Sequence, residues 1–513
     1  MKKSNELKLG AMLSYVSLGL TSAISLIYTP IMLRLLGQSE YGLYNLANSV
    51  IGYLGILDLG LGNAVIRYTA QYRAKNDKQG EQNLHGMFVM IYSILAIIII
   101  IAGTILVSNI NTIFSNKLTT VELQRMKILM SIMIFNLAIS FPLSVFGGII
   151  TAYEHFVFPK IIVIIRAILN PFIMIPLLLM GYKSVGMIVA STIVNLIFIG
   201  ANIYYCFIKL KIRIKFTKVK LSILKEISGY SFFIFLNIIV DKIYWSTDQF
   251  ILGAVSGTIA VAVYSVASTI NNYYMNFSTA ISGVFLPKVT NMITKNASDK
   301  EISDLFIKTG RIQYIIMAFI LGGFFIVGKE FMVVWAGRDY IQAYYICLVI
   351  MMPLTIPLIQ NIGITILQAK NMHRFRSKVY ITIAIVNIFC SIPLAKLFGG
   401  IGAALSTGIS LLIGNIIIMN IYYYKKIKIN IPKFWKEIIL MTIPIAVTIG
   451  IGFIINNMIS MGGYGGIFIK AVLYSVIYFV LMWNLAINSY EKDLLMGPIV
   501  KIKNKVMARG NLA

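Results

Sequence analysis

Residues 85–108 read HGMFVMIYSILAIIIIIAGTILVS, 24 consecutive residues without an Asp, Glu, Lys or Arg. A helix rises about 1.5 Å per residue, so a run of this length spans the ~30 Å hydrocarbon layer of a bilayer. Thirteen further runs near 10–33, 41–65, 127–150, 158–180, 185–207, 228–253, 259–287, 309–334, 341–366, 378–395, 401–424, 437–456 and 466–487 have the same character. Composition agrees: 58% of the 513 residues are apolar and 12% charged, against roughly 45–50% and about 25% in soluble domains. The mean hydropathy of +0.83 leaves too little polar surface for a string of soluble domains. The pattern predicts an all-α integral membrane protein with about fourteen transmembrane helices.

The charge imbalance serves threading. The chain carries 45 Lys+Arg against 18 Asp+Glu, a formal net charge of +27. An even number of spans puts both termini on one side, and segments on that side hold 34 of the basic residues, the opposite loops 8 and the spans 3. This bias predicts cytoplasmic termini. The richest inner segment is Lys209, Lys211, Arg213, Lys215, Lys218, Lys220 and Lys225. It lacks the aromatic interleaving and folded module of a nucleic-acid binder, so nucleic acid is not an expected partner. The first apolar run follows Lys2, Lys3 and Lys8 but is too long for a signal peptide and lacks an A-x-A cleavage site, which predicts a retained first helix.

A long-period repeat organises the spans. Leu35-Leu36-Gly37 with Tyr44-Asn45-Leu46-Ala47-Asn48-Ser49 is echoed by Ile251-Leu252-Gly253 with Tyr264-Ser265-Val266-Ala267-Ser268-Thr269. Asn170 with Ile175-Pro176-Leu177 recurs as Asn387 with Ile392-Pro393-Leu394. Six spans separate equivalent points, so the copies share an orientation and are related by an axis along the membrane normal. The expected organisation is an N-terminal lobe at 1–207, a basic cytoplasmic linker at 208–227, a C-terminal lobe at 228–424, and two extra spans with a basic tail at 425–513. Two parallel six-helix lobes around a central cavity are a transporter plan, and the last two spans are expected to pack outside it.

Polar side chains inside spans must meet protein partners or water, because a central charge costs about 2.5–3.5 kcal/mol on insertion scales. They concentrate in spans 1, 2, 7 and 8, which are therefore expected to line the cavity. Substrate-binding candidates are Arg34, Asn45, Asn48, Arg166, Lys242, Asn271, Asn272 and Tyr273. Lys242 lies about 14 residues, or ~21 Å, beyond Ser228, too deep to snorkel easily. Asp58, Asp241 and Asp248 are the ion-coupling candidates, with Asn237, Asp241 and Asp248 spaced to share one face of the seventh span. Asp58 can alternatively be an interfacial capping residue, Arg166 a snorkelling one, and Lys242 half of a structural ion pair. Lys470, near the end of the last span, is expected to snorkel.

Catalytic and metal motifs are not seen in the sequence. Cys206, Cys347 and Cys390 lie in separate apolar runs without C-x-x-C or Cys/His spacing, and His85, His155 and His373 read as loop histidines at span ends. No P-loop, G-x-S-x-G or paired-carboxylate motif sits on a soluble segment. An enzyme is not expected, and no cofactor beyond a coupling H+ or Na+.

The stretch Pro30-Ile31-Met32-Leu33-Arg34-Leu35-Leu36-Gly37-Gln38-Ser39-Glu40-Tyr41-Gly42-Leu43-Tyr44, with Leu57-Asp58-Leu59-Gly60-Leu61-Gly62, resembles the polysaccharide-biosynthesis flippases of the multidrug/oligosaccharidyl-lipid/polysaccharide exporter superfamily. Thr247-Asp248-Gln249-Phe250-Ile251-Leu252-Gly253 resembles the signature of that family's second lobe. The resemblance implies a V-shaped cavity that alternates between inward- and outward-facing states and carries a polyprenyl-diphosphate-linked oligosaccharide across the bacterial cytoplasmic membrane. Cationic groups would receive the diphosphate, and aromatic and amide groups the sugars. Membrane lipids would be partners, together with a glycan polymerase and glycosyltransferases of the same pathway. Two other readings compete. A multidrug exporter of organic cations should have an acid-dominated cavity, against which Arg166 and Lys242 weigh. An integral membrane glycan polymerase should have large outer loops, and the longest here is about 18 residues.

Overall fold

The structure is a computed structural model that describes residues 2–216, 221–370, 372–459 and 461–494. Lys218 and Lys220 of the basic linker and the tail beyond 494 lie outside the described residues, as do the side chains of Asn237 and His373. Helices dominate and no strand occurs among the described residues: α1 (Lys2–Leu36), α2 (Gln38–Leu54), α3 (Leu61–Ala74), α4 (Lys78–Ser108), α5 (Ile110–Phe114), α6 (Thr120–Ala152), α7 (Val157–Leu179), α8 (Lys183–Tyr204), α9 (Leu221–Val255), α10 (Thr258–Thr294), α11 (Asp299–Trp335), α12 (Ile341–Ile359), α13 (Ile362–Ala369), α14 (His373–Leu411), α15 (Met419–Tyr422), α16 (Ile431–Met458) and α17 (Gly463–Leu485). Helix starts obey local rules. Thr119 and Glu122 form a reciprocal capping box on α6, Ser298 and Glu301 another on α11, and Asp77 caps α4 by accepting from the Gly80 amide.

Among the described residues, twelve stretches are long and apolar enough to cross a membrane, against about fourteen expected. One of them, Arg374–Ile427, is 54 residues long and carries two of the expected spans, 378–395 and 401–424. The break between them is Gly399, at φ 56° and ψ −135° inside α14, a conformation that side-chain-bearing residues rarely adopt. The expected eighth span falls in α10, which is not among the twelve. The second span is interrupted too. After α2 comes a tight turn over Gly55–Asp58, then Leu59 at φ 53° and Gly60 at φ 75°, before α3 resumes.

The chain divides into two compact units, Met1–Ala267 with Tyr380–Thr407, and Ser268–Val379 with Gly408–Ala513. In the first, α4 packs along α6, α1 along α7, and α2 against both α6 and α9. Its core includes the fully buried Leu43, Leu46, Phe88, Tyr92, Met126 and Met130. Helix α2 meets the start of α10 backbone to backbone: a Cβ on Gly42 would run into the Thr258 carbonyl, which no side-chain rotation relieves. Gly42→Ala is therefore expected to destabilise by about 1–3 kcal/mol, the usual cost of overpacking. A lower thermal midpoint of the purified protein is the readout, and an unchanged one would mean that this turn can recede.

In the second unit α11 is the hub, packed by α12, α16 and α17. Ile315, Met441, Tyr474, Tyr478 and Met482 form its core, and the Tyr478 hydroxyl donates to the Ile315 carbonyl at 2.6 Å. The last two long helices thus pack against α11 through this cluster. Lys470 does not snorkel. It is buried in α17 and donates to the Glu330 carboxylate of α11 at 2.7 Å, because a partner within reach costs less than an extended path to the interface.

Candidate ion and substrate site

Asp248 is the most enclosed carboxylate of the first unit, 2% exposed near the end of α9. Three hydroxyls donate to it: Tyr264 of α10 and Thr407 of α14 to Oδ2, Thr407 at 2.7 Å, and Ser391 of α14 to Oδ1 at 3.0 Å. Asn387 stands behind them. Its Nδ2 donates to the Thr407 hydroxyl at 3.3 Å, while its Oδ1 accepts from Ser406 at 2.6 Å. Asn387 and Ser391 are four residues apart and share a helix face. Thr407 lies beyond the Gly399 break, so the same interruption that divides α14 into two spans lets both halves face one carboxylate. Beside the cage, the Tyr53 hydroxyl of α2 hydrogen-bonds Thr247 at 2.6 Å.

The chemistry of this cage is that of an acceptor short of positive charge. A buried ionised carboxylate costs several kcal/mol unless it is compensated. Three hydroxyl dipoles compensate in part, and no Lys or Arg is among the groups that hold Asp248. Carboxylate, amide and hydroxyl oxygens form a hard donor set suited to a proton or a small oxygen-preferring cation.

Asp241 shares the nominal face of Asp248 but not its environment, being exposed while Asp248 is buried. The spacing put them on one side of α9, and tertiary packing covers only the Asp248 end. Lys242 is half-buried, and its Nζ lies 3.1 Å from where a Cβ on Gly52 of α2 would stand. Asn45, Asn48 and Gly52 recur at i, i+3 and i+7, so Lys242 reaches the amide-bearing face of α2. Asn45 and Asn48 each donate to the carbonyl four residues back, at 2.8 and 2.9 Å, and Asn48 is exposed. An exposed amide inside a span faces water rather than lipid. Lys242 has no carboxylate partner among the described residues, so it is not half of a structural ion pair there.

Arg166 is neither free nor snorkelling. It is half-buried in α7, donates to Asn195 Oδ1 at 2.6 Å and lies over the Phe198 ring at 5.2 Å. Asn195 in turn donates to Asn136 and Ser140 of α6, both at 2.8 Å. These partners orient the guanidinium and are all neutral. Asp58 sits in the turn between α2 and α3, where its Oδ1 accepts from the Tyr92 hydroxyl at 2.6 Å, and it makes no capping bond to α3. In the second unit Asn271 is 2% exposed, with no hydrogen-bond partner for its amide among the described residues, while Asn272 is exposed and Tyr273 half-buried. Arg34 is exposed at the end of α1.

Several charged networks escaped sequence reasoning. Glu122 accepts from Ser39 at 2.6 Å and Thr258 at 2.8 Å besides capping α6. Glu40 is held by Arg125 and Ser184. Arg311 of α11, 5% exposed, is clamped by Glu491 at 2.7 Å and Glu437 at 2.6 Å. His85 is no loop histidine: it is buried in α4, with Nε2 3.3 Å from the Thr69 hydroxyl. Of the Asp248 cage the sequence reading singled out the carboxylate itself but not its partners, for which the Asn387/Ser391 spacing in an apolar run was the available signal.

These features define an integral membrane protein of transporter build, with charged and amide groups set inside its spans. The chain belongs to the polysaccharide biosynthesis protein family, whose model matches residues 8–293. Among solved structures it is similar to "Lipid II flippase MurJ, inward closed conformation", with a TM-score of 0.71 at 14% identity over 96% of this chain and 99% of that one. It is similar also to the inward-facing conformation of a multidrug resistance MATE family transporter of the MOP superfamily, with a TM-score of 0.57 at 16% identity over 77% and 96%. A MOP superfamily transporter from Pyrococcus furiosus gives 0.55 at 13% identity over 82% and 96%. These neighbours are a flippase and transporters, not enzymes, and they show the fold. No curated protein matches the chain by sequence.

Proposed function

We propose that this protein is a flippase that carries a polyprenyl-diphosphate-linked oligosaccharide, a capsular, exopolysaccharide or wall-polymer repeat unit, across the bacterial cytoplasmic membrane by alternating access. The observation that carries the reading is that Lys242 and Arg166, both inside spans, have no carboxylate partner among the described residues, Arg166 donating to the Asn195 amide oxygen and Lys242 reaching the face of α2 that bears Asn45 and Asn48. Cations held without counter-charge suit a phosphate-bearing substrate, and amide and phenol groups suit its sugars. An exporter of organic cations would need the opposite sign. The family match and the MurJ-like fold support the same reading.

The Asp248 cage would couple the cycle to H+ or Na+, the ion being co-substrate and no other cofactor being required. The basic bias supports a cytoplasmic location for both termini. The repeat supports lobes at 1–207 and 228–424 joined by the 208–227 linker, with 425–513 following. Membrane lipids, and a glycan polymerase and glycosyltransferases of the same pathway, would be its partners.

In a strain with no redundant flippase, deleting the gene should strand lipid-linked repeat units on the inner leaflet. Lys242→Ala or Arg166→Ala should lower translocation by about tenfold, the scale of one lost charged contact. Normal surface glycan in the deletion strain would refute the reading.

A further inference from the structure

A second charged cavity lies away from the Asp248 cage, on the face that carries the basic segments. It is a cleft of about 620 Å³ at the turn between α3 and α4, lined by Arg73, Lys78, Glu81, His85, Lys211 and Arg213 among others. Four cations face one carboxylate. That carboxylate is already engaged, since Glu81 accepts from the Tyr153 hydroxyl at 2.7 Å. Burial and the Glu81 carboxylate both push the Tyr153 phenol up, so it stays a neutral donor. None of the four cations has a carboxylate partner among the described residues.

The cations are also positioned. Arg73 lies 3.8 Å over the Tyr153 ring and donates to the Ala152 carbonyl at 2.7 Å, which fixes its planar fork. Lys211 and Arg213 lie on the irregular stretch beyond α8, where Lys211 has φ 54°, exposed on either side of Ile212, which is buried. That stretch is pinned at both ends: the Ile212 amide donates to the Cys206 carbonyl at 3.2 Å and the Lys215 amide to the Gln82 carbonyl at 3.1 Å. Gly86 allows the close approach, since a Cβ there would strike the Lys215 carbonyl. Deeper in, His85 Nδ1 is buried without a hydrogen-bond partner among the described residues.

Membrane threading requires only that cations lie on this side. It does not require that four of them converge on one cleft from three segments, Arg73 fixed by a ring stack and Lys211 and Arg213 carried on a backbone-pinned stretch. A concave site lined by one sign of charge focuses its field on a counter-ion. We propose that this cleft binds a phosphate-bearing anion, either the headgroup of an anionic lipid at the membrane edge or a soluble phosphate or diphosphate.

The test uses the full chain in detergent and in nanodiscs. Lys78→Gln/Arg213→Gln removes two charges from the cleft. Lys209→Gln/Lys225→Gln removes two from the same basic face outside its lining. Inorganic pyrophosphate titrated onto the detergent-solubilised protein reports a soluble ligand. Retention of phosphatidylglycerol against phosphatidylcholine, read by native mass spectrometry from nanodiscs, reports a lipid. In one of these arms the cleft pair should weaken binding by about tenfold or more while the control pair changes it little, as expected for lost charge-assisted contacts. If the cleft pair fails to fold, Lys211→Gln on the exposed stretch carries the same readout. Absence of binding in both arms, or equal loss in the cleft and control pairs, overturns the proposal, because the attraction would then be diffuse.

Discussion

Asp248→Asn should cost the transporter its ion dependence. The asparagine keeps the size of the side chain and one oxygen that goes on accepting from the Tyr264 and Thr407 hydroxyls, while its NH2 stands where Oδ1 was and donates to the Ser391 hydroxyl oxygen, so the cage retains its shape. What it loses is the negative charge that attracts a proton or cation. If the ion shifts the cycle through Asp248, the lost coupling is on the order of 1–3 kcal/mol, or roughly 5–150-fold in gradient-driven translocation. The measurement is flipping of a lipid-linked oligosaccharide in proteoliposomes under an imposed Na+ or pH gradient, compared with no gradient. A variant that still responds fully to both gradients would reduce Asp248 to a hydrogen-bond acceptor. Thr407→Ala and Ser391→Ala should have smaller effects of the same kind.

Arg311→Ala should cost stability rather than coupling. Its guanidinium holds Glu491 and Glu437 and also donates to the Ala486 carbonyl at 2.8 Å, joining α11 to α16 and to the end of α17. Glu491 is 2% exposed, so removing Arg311 strands a buried carboxylate, which typically costs about 3–5 kcal/mol. The thermal midpoint of the purified protein should fall sharply. Replacing the whole triad, as in Arg311→Met/Glu437→Gln/Glu491→Leu, should recover much of the loss, because such triads are often neutral against apolar groups of similar volume. If the single variant melts like wild type, the clamp contributes nothing.

The membrane class, most of the span positions and the family signature were legible in one dimension, because each depends on runs and spacings within a single helix. The site was legible in part. Spacing singled out Asp248 and Lys242 as polar groups that need an explanation, and the α2 amides as a shared face. It grouped Asp241 with Asp248, although only one of them is buried, since helical periodicity sets direction and not what lies opposite. Two of the three partners of Asp248 come from residues 143 and 159 positions away, and the carboxylates that hold Arg311 from 126 and 180. Spacing within a helix carries no record of such pairings.

By itself, then, the chain determined its solvent, because an apolar run long enough for the bilayer is driven into it, and its basic bias predicts how it is threaded. Tertiary structure decided which charges are neutralised and which are kept poised. It paired Lys470 with Glu330 and Arg311 with its two carboxylates, and left Asp248 among hydroxyls alone. The reason is physical. Burial makes an unpaired charge expensive, and only the packing of distant segments determines which charges find a counter-charge there.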